Sequence, residues 1–200
     1  MADLPRLMLI TDRQLAGDAL IPRIRSCLEL AEPGSIVVQL RDRDAPLEWR
    51  LTTGRALRGL TRDTGHQLSV NERLDVARLL EADAVHLPES GVPAARVSEL
   101  CPGAWCSRAW HTGEETERGV TALVVSPAMA ARKGRAALGE TGLAAAREAL
   151  RVPLYALGGV NAQNAQSCID AGAHGVAVIG AALDGRSVLP LLESLQIRRG

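Results

Sequence analysis

Short apolar, β-branched runs recur along the chain. Between them lie Ala-, Leu- and Arg-rich stretches with apolar residues at helical spacing. Unbroken apolar runs bounded by turn residues read as strands buried on both faces. They predict strands over 7–12, 35–41, 67–71, 84–87, 104–110, 122–126, 153–158 and 175–180. The periodic segments predict helices over 14–31, 46–63, 73–81, 92–100, 113–119, 140–151, 161–171 and 186–197. Pro46 and Pro93 stand where first-turn prolines belong, and Asn161 is placed to cap the seventh helix. Strand and helix alternate with short links, which implies a parallel sheet. Eight such units predict an α/β fold, a closed (β/α)8 TIM barrel. A single domain over residues 1–200 is expected, because no linker or charge block interrupts the pattern. An open flavodoxin-like sheet is the alternative, but it leaves some of the strands without a place.

Composition refines this picture. Hydrophobic residues make up 46% and charged residues 23%, ordinary values for a globular chain. Phe is absent and Tyr155 is the only tyrosine, so Leu, Val, Ile and Ala must fill the core. The 23 basic and 23 acidic residues cancel, which argues against nucleic acid or an anionic membrane as a partner. No apolar run reaches the roughly 18–20 residues that span a bilayer. The N-terminal MADLPRLMLITD lacks the charged start and long apolar stretch of a leader, so a cytoplasmic address is expected. Cys27, Cys101, Cys106 and Cys168 form no C-x-x-C pair and read as buried free thiols. The only lysine is Lys133.

In such a barrel the chemistry gathers where the strands end at the C-terminal face. After strand 2, Gln39, Arg41 and Arg43 alternate onto one face and suit an anionic, phosphorylated ligand. The plainer reading pairs Arg41 with Glu72. After strand 3, Asn71 and Glu72 could hold a hard cation with a bound phosphate, Glu72 being the metal ligand. Alternatively Asn71 caps the next helix. On strand 4, His86 has apolar neighbours and reads first as a core histidine, with Glu89 following at the rim. After strand 5, Arg108 and His111 lie near the mouth, and His111 is a candidate acid or base. The loop after strand 6 joins Gly134, Gly139 and Gly142 to Arg132, Lys133 and Arg135 as a cationic lid. Gly158 and Gly159 after strand 7, with Ile179 and Gly180 after strand 8, predict a phosphate cradle of backbone amides.

The strings ITD, VQLRDRD, VNERLDVA, AVHLPESG, the Arg108–Thr112 stretch, LGGVNAQN and AGAHGVAVIGA follow in this order. With them the chain resembles the thiamin phosphate synthase/TenI superfamily over about residues 7–183. The resemblance implies thiazole phosphate on Gly158, Gly159, Ile179 and Gly180. It implies an aminopyrimidine pyrophosphate held by Gln39, Arg41 and Arg43, with Mg2+ assisting departure of pyrophosphate. Several positions depart from the synthase pattern. Glu72 stands where the synthase has Asp, Gly91 where it has a second magnesium aspartate, and Ala109 where it has Ser. Its Pro-Thr-x-Thr-Lys loop is reduced to Ala130, Ala131, Arg132 and Lys133. HLPESG resembles the TenI branch, whose tautomerases need no metal, but their histidine after strand 6 is replaced by Pro127. His111, His86 or Glu89 would then supply the base.

Three functions stay open: a divergent synthase with Mg2+, a tautomerase without it, and a non-catalytic thiazole- or thiamin-phosphate-binding barrel. His111, Glu89 and Lys133 are the catalytic candidates, and Gly139 joins the phosphate-binding set. A lysine- or carboxylate-dependent phosphosugar enzyme lacks its strand-end groups. Self-association is left open.

Overall fold

The computed structural model describes residues 4–111, 117–132 and 134–200. Its strands are β1 (Leu7–Ile10), β2 (Ile36–Leu40), β3 (Gln67–Asn71), β4 (Ala84–Leu87), β5 (Trp105–Trp110), β6 (Ala122–Val125), β7 (Leu154–Leu157) and β8 (Gly175–Val178). They form a closed ring in sequence order, every neighbouring pair parallel, with β8 joined to β1. The predicted barrel is therefore present, and each predicted strand appears in its place, most of them trimmed at one or both ends.

Strand parity separates two cores. Outward residues such as Leu7, Leu9, Ile36, Val38, Leu68 and Val70 pack with the helices. Inward Met8, Ile10, Val37, Ala122, Val124, Tyr155 and Ala177 fill the barrel beside β1 and β6–β8. On β2–β5, beyond the apolar Val37, Ala84 and Trp105, the inward positions include Gln39, Ser69, Asn71, His86 and Ser107, all polar and buried. This polar half of the interior carries the candidate site.

The helices are α1 (Arg13–Ala16), α2 (Leu20–Leu30), α3 (Leu47–Thr64), α4 (Leu74–Leu79), α5 (Ala95–Leu100), α6 (Gly139–Ala149), α7 (Ala165–Asp170), α8 (Gly180–Leu183) and α9 (Val188–Ser194). Several expectations need correction. The helix expected over 14–31 is broken at Gly17 (φ +54), followed by a 3-10 turn. Pro22 then sits in the first turn of α2, where its missing amide costs nothing. The predicted seventh helix starts four residues late. Asn161 accepts from the Gln163 amide in a turn ahead of α7, and Asn164 stands at the cap position. The segment expected as a helix over 113–119 lies largely outside the described residues, and 118–119 form a turn. α8 was not anticipated.

Tyr155 and Trp105 are the aromatic residues of the inner cluster. Tyr155 is fully buried, its hydroxyl donates to Pro5 O at 2.6 Å, and its edge meets His174 at 5.6 Å between centroids. Its register partner across the β7–β8 pairing is Gly175. A Cβ there would lie 2.4 Å from Arg6 O and 2.9 Å from Tyr155 Cε1. The four cysteines are buried and free, as expected. Among the described residues no helix is long and apolar enough to cross a membrane.

Gly175→Ala should therefore destabilise the barrel by about 1–3 kcal/mol in urea denaturation. Gly180→Ala, whose Cβ would meet only Leu15 Cδ2 at 3.8 Å, should fall within about 0.5 kcal/mol of the parent.

Candidate functional site

Gln39, at the inward end of β2, donates from Nε2 to Asn71 Oδ1 on β3 at 3.2 Å. Asn71 Nδ2 donates to Glu72 Oε2 at 2.8 Å, and the same oxygen pairs with Arg43 Nε at 2.9 Å. One hydrogen-bonded chain thus runs from the buried interior to the rim. It joins four of the predicted residues and corrects two readings. The partner of Glu72 is Arg43, and not the Arg41 of the plainer alternative. Asn71 does not cap the helix that follows, since α4 has no side-chain cap. Glu72 holds a left-handed backbone (φ +62) in the turn after β3.

Buried polar groups are normally paired, because an unmade hydrogen bond in low dielectric is costly. Gln39 Oε1 and Ser69 Oγ are buried without a partner. Both lie on the polar side of the interior, and Gln39 Oε1 is an acceptor available to a ligand N–H.

β2 ends at Leu40, so simple alternation does not carry Arg41 and Arg43 into position. A corner does, and it was not foreseen. Buried Thr11 donates to Asp42 Oδ2 at 2.5 Å, Asp42 Oδ1 accepts the Arg13 amide at 2.6 Å, and Thr11 Oγ1 accepts the Arg41 amide at 2.9 Å. The ITD and RDRD strings were the available signal. This corner leaves a cleft of about 210 Å3 lined by Asp12, Gln14, Arg41, Asp42, Arg43 and Asp44.

His86 is buried, with Nδ1 at 3.0 Å from Ser107 Oγ, as the core reading expected. Burial pushes its imidazole down to about 3, and the nearby charges of Arg43, Arg41 and Arg108 push the same way. The positive field expected at this mouth is therefore felt inside the barrel. Arg108 faces outward. It donates to Pro88 O, Glu89 O and Val92 O and pairs with Glu117 at 2.8 Å, clamping the loop after β4.

His111 and Glu89, predicted separately, are brought together. His111 Nδ1 lies 2.6 Å from Ser126 O, and its Nε2 is 3.4 Å from Glu89 Oε2. Arg135, on the loop after β6, reaches the same oxygen at 3.7 Å. That loop is pinned by a bridge between Arg132 and Arg135. Lys133 lies outside the described residues.

Gly158 and Gly159 have φ of +105 and +74 and pack against the loop after β6. A Cβ on Gly159 would lie 2.4 Å from Ala130 Cβ, and Gly158 O accepts the Met129 amide at 2.8 Å. Gly139 donates its amide to Ala128 O at 2.9 Å. Gly180 opens α8 behind Ile179, and the Ala182 and Leu183 amides donate back to Ile179 O at 3.4 and 3.2 Å.

The magnesium implied by the resemblance can be tested against these donors. Glu72 and Glu89 are the carboxylates at this side of the mouth, and each faces a cation. Asn71 Oδ1 is taken by Gln39. Among the described residues no group of three His, Cys, Asp or Glu could hold a metal. The side chains present do not make a two-carboxylate magnesium set.

The family model described as thiamine monophosphate synthase matches residues 7–182. A thiamine-phosphate synthase of Roseiflexus sp. (strain RS-1) is 36% identical over 182 residues, covering 87% of this chain and 76% of the relative. One from Moorella thermoacetica is 34% identical over 189 residues, covering 90% and 89%. Among solved structures, thiamine phosphate pyrophosphorylase from Pyrococcus furiosus superimposes with a TM-score of 0.82 at 27% identity, covering 96% and 95%. A 3-hexulose-6-phosphate synthase, at 16% identity and a TM-score of 0.63, shares the fold alone.

The buried imidazole predicts a pH effect. The unfolded chain binds this proton near pH 6.5 and the folded chain only near 3. Stability is therefore full above 6.5 and falls as pH drops toward 3. His66, also lowered by burial, adds to the same trend. In urea titrations across this window, His86→Gln should reduce the slope of stability against pH by close to one proton. An unchanged slope would show that His86 takes up its proton in the folded state.

Proposed function

The chain belongs to the thiamine monophosphate synthase family, and we propose that it joins an aminopyrimidine, carried on pyrophosphate, to a thiazole phosphate at the barrel mouth. The observation that carries this reading is the chain Gln39–Asn71–Glu72–Arg43, which ends inside on the unpartnered Gln39 Oε1. That oxygen suits the exocyclic amine of an aminopyrimidine, and Asn71 fixes the amide so that Oε1 is the end left without a partner.

Arg41 and Arg43 would hold the pyrophosphate. In the reaction, the bond from the pyrimidine methylene carbon to pyrophosphate oxygen breaks and the electron pair leaves with the pyrophosphate. The lone pair of the thiazole nitrogen then forms the new carbon–nitrogen bond. Guanidinium groups fixed beforehand lower the barrier by meeting charge as it grows on the leaving oxygen. The thiazole phosphate would rest on the Gly180 and Ala181 amides at the start of α8, beside Gly158 and Gly159. Gly139 opens α6 where the loop after β6 ends, and that loop packs against Gly158 and Gly159. His86, held neutral, lines the polar interior without adding a further positive charge near the carbocation.

A second reading is favoured by His111 and Glu89 at 3.4 Å. With Nδ1 anchored on Ser126 O, Nε2 and the carboxylate could move a proton on a thiazole ring, which is tautomerase chemistry needing no metal.

Incubation of the purified chain with aminopyrimidine pyrophosphate, thiazole phosphate and Mg2+ should yield thiamin phosphate and pyrophosphate in equal amounts. Gln39→Ala should lower kcat/KM by about tenfold or more. No product, together with aromatisation of the unaromatised thiazole that is lost in His111→Ala and Glu89→Ala, would replace the synthase reading with the tautomerase. Thiazole phosphate binding with neither activity would leave a binding barrel.

A further inference from the structure

The carboxylates after β1 to β4 are all engaged. Asp12 Oδ1 accepts the amides of Gln14 and Leu15 at 3.1 and 3.0 Å. Asp42 takes the Thr11 hydroxyl and the Arg13 amide. Asp44 takes Arg13 and Gln14 side chains at 2.9 and 3.0 Å. Glu72 holds Arg43 and Asn71, and Glu89 faces His111 and Arg135. Magnesium enters protein sites through one or two carboxylates together with substrate phosphate oxygens. Here Asp44, Glu72 and Glu89 would first have to give up a basic side chain, and Asp12 and Asp42 their backbone amides.

Gly91, in the loop after β4, also has no room for a side chain. A Cβ on Gly91 would lie 2.8 Å from Pro88 Cδ and 3.1 Å from Pro88 O. Arg108 fixes the same loop from the outer face through Pro88 O, Glu89 O and Val92 O. Arginine occupies the mouth instead. Arg41 and Arg43 both act on His86, and Arg43 is held by its Nε while its side chain stays about half exposed.

We propose that this chain meets a pyrophosphate group with arginine rather than with a two-carboxylate magnesium set. Arg43 is the principal contact, Arg41 the second, and Glu72 positions Arg43 instead of binding metal. The inference rests on the proposed pyrophosphate-bearing substrate and deepens it. A guanidinium offers five N–H donors in a plane, so an edge held by Glu72 leaves donors for phosphate oxygens. Its charge is permanent, so binding needs no metal to be acquired first.

The test is titration calorimetry of the full chain with inorganic pyrophosphate, once in EDTA and once with excess Mg2+. The affinities should agree within about threefold. Arg43→Ala should weaken both by about tenfold or more. Glu72→Gln should retain binding in both, since the amide oxygen can still accept from Arg43. Binding seen only with Mg2+ and lost in Glu72→Gln would overturn the proposal and leave the proposed function standing. No binding in either condition, with a native melting curve, would overturn both.

Discussion

Closure of the strand ring at β8 and β1 constrains everything else in the molecule. A closed parallel ring has no edge, so its backbone groups pair all the way round and its interior is filled only by inward side chains. With no Phe and one Tyr in the chain, Tyr155 is the one aromatic ring fully buried inside the barrel, with Trp105 packed partly buried against the same cluster. Tyr155 fits because its neighbour in register is Gly175, which lets Arg6 O and the ring approach together. Small and large residues are matched across one strand pair, and the ring closes around the match.

Filling divides the interior. Beside β1 and β6–β8 it is apolar and self-sufficient. Beside β2–β5 it is built from amide, hydroxyl and imidazole groups, each of which needs a partner once water is gone. Asn71 binds Gln39 and Glu72, and His86 binds Ser107. The pairing stops at Gln39 Oε1 and Ser69 Oγ. A folded chain that satisfies nearly all of its buried polar groups and leaves an acceptor at the mouth is prepared for a ligand that supplies the donor.

Charge follows the same division. The net charge is zero, yet burial, helped by the arginines after β2, holds an interior histidine neutral, and the acids of this rim are tied to cations or amides. Neutrality of the whole chain therefore coexists with a cationic mouth, because opposite charges are paired locally and not spread evenly. Glu72 and Glu89 orient basic side chains, so loss of either would disturb geometry as well as charge.

The strands and their order were legible because burial on both faces forces unbroken apolar runs, and closure needs all eight. Their ends were less legible. Thr11, Asp12 and Arg41 look like strand continuations but serve a hydrogen-bonded corner, and Gly17 and Pro22 divide what helical periodicity reads as one helix. Residues of the candidate site, among them Gln39, Arg43, Asn71, Glu72, Glu89 and His111, could be named from their positions after strands. Their pairing could not. Whether Glu72 meets Arg41 or Arg43, and whether Glu89 reaches His111, depends on how loops from different strands converge above a closed ring. The linear sequence determined which groups arrive at the mouth. Only the tertiary structure decided which of them touch, because each partner comes from a separate strand and closure sets the distance between them.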